Sequence, residues 1–243
     1  MEREIAWLFS EKYNGVATPA FEADVKKLAE GTPLAYLIGH VPFLNTTIHL
    51  DSHPLIPRPE TEYWTEEVIK TLPDEPVRVL DLCAGSGCIG IAIKKARPDA
   101  YVDFAELEAK HHETIRKNLR ENGLEDSNSR ICDGDLFENI TETYDVIVSN
   151  PPYIDPVLDR AEQSVKEHEP HEALYGGADG MECIERIIVD SKKHLTEKGV
   201  LYIEHEPEQA KEIKRLAVVH GFEAVTLPDQ FGTQRWSVLR LTS

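Results

Sequence analysis

From residue 77 onward, short apolar runs alternate with stretches in which apolar side chains recur every three or four positions. Residues 77–82, 101–105, 130–132 and 144–149 are short and read as strands, the last of them apolar, β-branched and buried. The periodic stretches between and after them predict helices through Lys95, up to Asn122-Gly123, from about Gly180 to His194, and from Pro207 to His220. Further strands are expected at 200–204, 222–227 and 235–241, the last two as an antiparallel pair. Alternation of this kind predicts a parallel sheet with helices on both faces, the α/β class. Residues 154–179 break the rhythm. They are polar, irregular and longer than an ordinary connection, and such loops tend to carry function.

The first forty residues follow a helical pattern instead. Ile5, Leu8 and Phe9 share a face; Thr18 is placed to cap a helix with Pro19 at its first position, and Phe21, Val25 and Leu28 follow at helical spacing. Gly31 ends that helix, Thr32-Pro33 opens a short turn, and Gly39 closes it. So small a unit is expected to lack a core of its own and to pack on the rest. Residues 41–50 predict a hairpin turning at Asn45, followed by a stiff Pro57-Arg58-Pro59 that aims Arg58 and by a helix burying Trp64, Val68 and Leu72. The expected division is a helical domain at 1–40, a hairpin linker at 41–56 and an α/β domain at 57–243.

Composition narrows the functional classes. With 26 Lys+Arg against 44 Asp+Glu the net charge is −18, which argues against broad binding to nucleic-acid backbones and suits a small molecule or a basic protein partner. No apolar run is long enough for a membrane span and the amino end does not resemble a targeting signal, so the cytoplasm is the expected location. Cys83, Cys88, Cys132 and Cys183 have no paired spacing, and buried, unreactive thiols are expected for all four rather than zinc or disulfide frameworks. His111-His112 reads as a solvated helix face. His168-Glu169-Pro170-His171-Glu172 resembles a zinc-protease helix only superficially, since its histidines are one residue too close and Pro170 interrupts it.

Two stretches carry candidate chemistry. Ser149-Asn150-Pro151-Pro152-Tyr153 ends a strand on two prolines, which cannot continue the ladder, and holds Asn150 extended. An Asn side chain offers one acceptor and one donor group, Tyr153 adds a flat face, and open α/β sheets place ligands at this end of a strand. The other is Gly85-Ser86-Gly87 between a strand and a helix, where missing side chains let a ligand approach backbone N–H groups. Gly85, Gly87 and Gly90 formally match a dinucleotide fingerprint, with Glu106 where ribose hydroxyls are held, so a nicotinamide cofactor and S-adenosylmethionine both remain in view. Asp81, able to orient the loop or reach a cofactor's amino-acid end, and Asp135-Leu136, placed to flank an adenine, lean towards the second; a turn cap is the other reading of Asp135. With a methyl sulfonium, the Asn150 side-chain oxygen and the Pro151 carbonyl accept the two N–H hydrogens of a planar amide or amine, and its lone pair then faces the methyl group.

The chain resembles the HemK/PrmC family of peptide chain release factor N(5)-glutamine methyltransferases. The matching pieces are Gly31-Thr32-Pro33-Leu34-Ala35-Tyr36-Leu37-Ile38-Gly39, the Leu55–Glu62 stretch around Pro57-Arg58-Pro59-Glu60-Thr61-Glu62, and Asp81 to Gly87. Further on they are Asn150 to Ile154, Glu169-Pro170-His171-Glu172-Ala173-Leu174, Asp179-Gly180 and Asp229 to Arg235. The resemblance implies a Rossmann-like class I methyltransferase fold, a mostly parallel sheet of about seven strands behind a small helical domain that docks a class I release factor. It implies S-adenosylmethionine held by Cys83, Ala84, Gly85, Ser86, Gly87 and Glu106, with Leu136 by the adenine. The glutamine of the substrate's Gly-Gly-Gln motif would be held by Asn150, Pro151, Pro152 and Tyr153. Arg58 is either structural, paired with Glu60 or Glu62, or part of the substrate site. The chain departs from the family in a shorter helical front, in Cys83-Ala84 for the usual Gly-Thr, and in Glu206 where glycine is common. Asn-Pro-Pro-Tyr alone also fits an adenine-amino methyltransferase of DNA or RNA, which the charge disfavours. An oxidoreductase lacks a convincing catalytic constellation, and a non-catalytic module is disfavoured by the intact motif.

Overall fold

The computed structural model describes residues 1–125 and 128–242. Its front region comprises α1 (Glu2–Glu11), α2 (Pro19–Ala29) and α3 (Leu34–Ile38). The Thr18 hydroxyl accepts the Phe21 N–H at 3.1 Å, with Pro19 opening α2 as its fixed φ allows. Leu8, Leu28 and Leu37 are buried together and packed by Ile5, Phe21 and Val25, so the region has a small core of its own, contrary to expectation. Contact with the main core runs through α3, where Ala35 and Tyr36 pack on it and the Tyr36 hydroxyl donates to Pro54 O at 2.8 Å.

The hairpin follows as β1 (His40–Phe43) and β2 (Thr46–His49), then α4 (Pro59–Thr71), which buries Trp64 and Val68. The alternating part runs β3 (Arg78–Leu82), α5 (Cys88–Ala96), β4 (Tyr101–Glu106), α6 (Ala109–Glu121), β5 (Ser129–Asp133) and β6 (Tyr144–Ser149). After α7 (Gln163–His168) come α8 (Glu182–Ser191), β7 (Leu195–Glu204), α9 (Ala210–Val219), β8 (Phe222–Pro228) and β9 (Gln234–Leu241). Strands β3 to β9 form one seven-stranded sheet in the order β5-β4-β3-β6-β7-β9-β8, parallel except at β9, which is antiparallel to both neighbours. Strand order reverses between β3 and β6, so the loops leaving their carboxyl ends open a crevice where such sheets bind ligands.

Three expectations need correction. Strand β7 begins at Leu195 rather than Val200, through a bulged pairing with β6 that carries the polar Thr196, Glu197 and Lys198. The irregular segment contains α7 and a 3-10 turn, His171–Ala173. The His111-His112 face is not solvated: α6 turns His111 and Thr114 inward onto Ser52 and Asn118 onto the hairpin. There Asn118 Oδ1 accepts the His49 N–H at 2.7 Å while its amide donates to His49 O at 3.1 Å. Asn122 repeats the pattern on Thr47 at 3.1 and 2.8 Å, so two side-chain amides one turn apart complete the open edge of β2 as a neighbouring strand would. No helix among the described residues is long and apolar enough to cross a membrane.

Candidate functional site

The glycine loop leaves β3 with positive φ at Cys83 (61°), Gly85 (56°) and Gly87 (78°). Cys83 thus occupies a left-handed backbone position that glycine adopts without cost. The loop bonds mostly to itself and its neighbours: Ala84 N–H to Ala105 O at 3.1 Å, Gly87 N–H to Ala84 O at 2.7 Å, and Gly85 N–H to Glu106 Oε2 at 2.7 Å. With these donors engaged, the loop offers shape rather than the free N–H cradle a pyrophosphate needs, which disfavours the dinucleotide reading. Asp81 is fully buried and accepts the Gly90 N–H at 2.8 Å, so it braces the start of α5 and does not line the crevice. Burial pushes its pKa up to about 8, and its other oxygen has no partner.

A cavity of about 340 Å³ opens beside this loop, lined by Cys83, Gly85, Glu106, Asp135, Leu136, Asn150 and Pro152. Ala84, Ser86 and Gly87 stand behind its wall. Glu106 is buried at the end of β4, its second oxygen accepting the Glu108 N–H at 2.9 Å; burial raises its pKa against those two bonds. Asp135 is held by Arg186 at 2.7 Å, and Leu136, at φ 54°, presents an apolar wall. His111 also lines the cavity, its Nδ1 2.7 Å from Ser52 Oγ, and burial drives its pKa down to about 4. The cysteines depart from expectation: only Cys88 is buried, while Cys83 and Cys183 face the cavity side by side. The neighbouring Cys183 and burial push the Cys83 thiol up, and Cys183 is lowered by its hydrogen bond with Cys83.

A second, smaller cavity of about 150 Å³ lies on the far side of Asn150, lined by Arg58, Asn150, Pro151, Tyr153, Val165 and Leu174. Asn150 is therefore part of both walls. Its Nδ2 donates to Thr61 Oγ1 at 3.2 Å, and Thr61 donates in turn to Glu204 Oε2 at 2.7 Å. Glu204, wholly buried at the end of β7, also accepts the Trp64 indole N–H at 2.6 Å and the Tyr153 hydroxyl at 2.9 Å. Burial raises its pKa, and those three donors oppose the shift. Gln209 fastens the motif from behind, donating to Tyr153 O at 2.8 Å and to Asp179 O at 3.1 Å. A Cβ on Gly180 would stand 2.0 Å from Tyr153 O, so only glycine lets that backbone approach so closely.

Arg58 pairs with neither Glu60 nor Glu62. Its Nη2 meets Glu169 Oε1 at 2.5 Å, and Glu169 Oε2 accepts the Ile56 N–H at 3.0 Å. Glu62 instead accepts the Leu44 N–H at 2.5 Å, tying α4 to the hairpin. Thr61, Glu204, Glu169 and Gln209 were not singled out as site residues, because each acts across 50 or more positions: 89 from Thr61 to Asn150, 143 from Thr61 to Glu204. The one available signal was a carboxylate at the end of a buried strand. Another cavity, of about 660 Å³ and with seven carboxylates among its fifteen lining residues, touches Tyr153 but neither Asn150 nor the glycine loop.

Known proteins resemble this chain in sequence and in fold. A family described as Methyltransferase small domain matches residues 61–167. A release factor glutamine methyltransferase from Coxiella burnetii is 35% identical over 240 residues, spanning 93% of this chain and 82% of that protein. Among solved structures, a methyltransferase from Pyrococcus furiosus superposes with a TM-score of 0.63 at 18% identity, over 91% of this chain and 98% of that one. The N-terminal domain of human METTL16 in complex with SAH gives 0.55 at 19% identity, over 78% and 73%. These structural likenesses are to the Rossmann-like class I methyltransferase fold.

Proposed function

The chain belongs to the release factor glutamine methyltransferase family, and on that premise we propose that Asn150 to Tyr153 hold a release-factor glutamine while the cavity beside Glu106 receives S-adenosylmethionine. The enzyme methylates the glutamine side chain of release factors; the substrate proposed is the Gly-Gly-Gln glutamine of class I factors, with N(5)-methylglutamine, S-adenosylhomocysteine and a released proton as products. The single observation that carries the reading is Asn150's position in the wall between two cavities.

The larger cavity suits the cofactor. Glu106 supplies carboxylate acceptors for ribose hydroxyls, Leu136 an apolar face for an adenine, and a Cβ at Gly85 would meet nothing within 4 Å, so that flank stands open. Bound there, S-adenosylmethionine supplies an electrophilic methyl group on a sulfonium. The chain's residues do the positioning. Asn150 Oδ1 and the Pro151 carbonyl accept the two N–H groups of the substrate amide, which turns its nitrogen lone pair towards the cofactor cavity. Pro152 fixes the backbone between them, and Tyr153 closes the side of the smaller cavity. No strong general base is required, because the proton leaves after the methyl group arrives. Arg58, its charge offset by Glu169, lines the smaller cavity, which puts it within the proposed substrate site.

Residues 1–40 are the proposed docking surface, joined by the 41–56 hairpin to the catalytic domain at 57–243, and the −18 charge suits a basic protein partner rather than stable nucleic-acid binding. A cytoplasmic setting follows from a substrate of the translation machinery. The test offers labelled S-adenosylmethionine with a class I release factor, the same factor with its motif glutamine changed to alanine, and a DNA or RNA duplex. Label is expected only in the unaltered factor; label in the duplex would overturn the reading.

A further inference from the structure

An asparagine amide can sit either way round, and here only one way works. If Nδ2 faced the substrate, it would point a donor at the N–H group that Oδ1 must accept, and the glutamine would lose that acceptor. Something must therefore fix the rotation of Asn150. The smaller cavity offers nothing that does so: its side-chain lining around Asn150 is mainly apolar, and Arg58 is taken by Glu169.

From these contacts we infer that Thr61, with its hydroxyl proton committed to Glu204, is the positioning residue that sets which face of Asn150 the substrate meets. The assignment rests on the functional reading above and adds a part to it. A threonine hydroxyl has one proton and two lone pairs. Thr61 spends the proton on Glu204 Oε2 at 2.7 Å, a short bond to a buried carboxylate, so towards Asn150 it can only accept. The group 3.2 Å away must then be the amide nitrogen, and Oδ1 is left on the opposite side, towards the cavities. Glu204 is not free to turn away from that hydroxyl. Its Oε2 already takes the Trp64 N–H and its Oε1 the Tyr153 hydroxyl, donors that hold the carboxylate in one rotation. The same carboxylate thus sets both ends of the motif, Tyr153 directly and Asn150 through Thr61. Thr61 lies in neither cavity wall, so it acts through Asn150 and does not touch the substrate.

The test compares Thr61→Val and Thr61→Ser, each alone and combined with Asn150→Ala, in full-length enzyme with release factor and S-adenosylmethionine. Valine keeps the shape and removes the acceptor; serine keeps the hydroxyl and removes the methyl group. Thr61→Val should lower kcat about tenfold or more through misoriented Asn150, leaving the cofactor dissociation constant within about twofold. Thr61→Ser should stay within about threefold of the parent, and Thr61→Val should cost nothing further in the Asn150→Ala background. A merely structural threonine would show serine losing as much as valine, or equal losses in both backgrounds, and either result overturns the assignment. If Thr61→Val does not fold, the serine variant and its combination with Asn150→Ala still decide, since a large serine loss contradicts it. Should the parent enzyme leave release factor unmethylated, it is the functional reading that fails; a parent that methylates with an indifferent Thr61→Val rejects this inference alone.

Discussion

The glycine loop and the Asn-Pro-Pro-Tyr corner leave adjacent parallel strands, β3 and β6, yet they are held by opposite means. The loop is a local object. Its turn is made by positive φ at Cys83, Gly85 and Gly87, and its N–H groups bond within the loop, to the neighbouring strand and to Glu106. The corner is held from a distance by side chains of Thr61, Glu204 and Gln209, drawn from α4, β7 and the turn before α9. A cofactor site needs a fixed hollow, which backbone geometry provides. A site that must present one particular atom of an amide needs hydrogen-bond direction, which only a network of side chains supplies.

Experiments that separate the two regions begin with the largest effect. Asn150→Ala should cut methyl transfer by about a hundredfold or more, because the substrate amide loses an acceptor in an enclosed site, with cofactor affinity unchanged. Single-turnover rates and equilibrium dialysis read the two quantities separately; loss of affinity with a normal rate would blur the contrast. Glu106→Ala should do the reverse, weakening S-adenosylmethionine by about ten- to a hundredfold as the loop loses its brace and the ribose its acceptor. An unchanged dissociation constant would remove Glu106 from the cofactor site. Glu169→Ala should destabilise the substrate side by about 1–3 kcal/mol in denaturant titration, since it strands the Ile56 N–H and unpairs Arg58. Because Arg58 is partly exposed, the low end is expected.

The last effect is a slope rather than a step. Asp81 titrates near pH 8 in the folded protein against an ordinary 3.8. Between those values the folded chain keeps a proton that the unfolded chain has released, so stability falls as pH rises through that window. Asp81→Asn should flatten the dependence, seen in melting temperatures between pH 5 and pH 8. A parallel slope in both proteins would mean that Asp81 is ionised in its buried site.

The same contrast explains what could be read in the sequence. Short apolar runs mark the strands, and apart from the polar start of β7 the sheet, the carboxyl-terminal antiparallel pair and the Thr18 cap appear where expected. Glycines and prolines mark both loops because backbone geometry demands those residue types. What was hidden was polar burial. Helix α6 turns His111 and Thr114 towards Ser52 and Asn118 towards the hairpin, and a polar inner face looks like solvent-facing surface. Helix α7 has six residues and buries none, so it leaves no stripe to detect. Arg58 was given its nearest acids in sequence, whereas its partner lies 111 residues away and is almost fully buried. Nothing local in Thr61 or Glu204 announces that they meet each other, or that Thr61 meets Asn150.

The most direct test of the central claim, that Asn150 presents its oxygen to a substrate amide, is site-localised tandem mass spectrometry of release factor treated with the parent enzyme and with Asn150→Ala in parallel. The account predicts one methyl group on the side chain of the Gly-Gly-Gln glutamine from the parent and essentially none from the variant. Equal methylation by both proteins, or a methyl group on another residue, would contradict it.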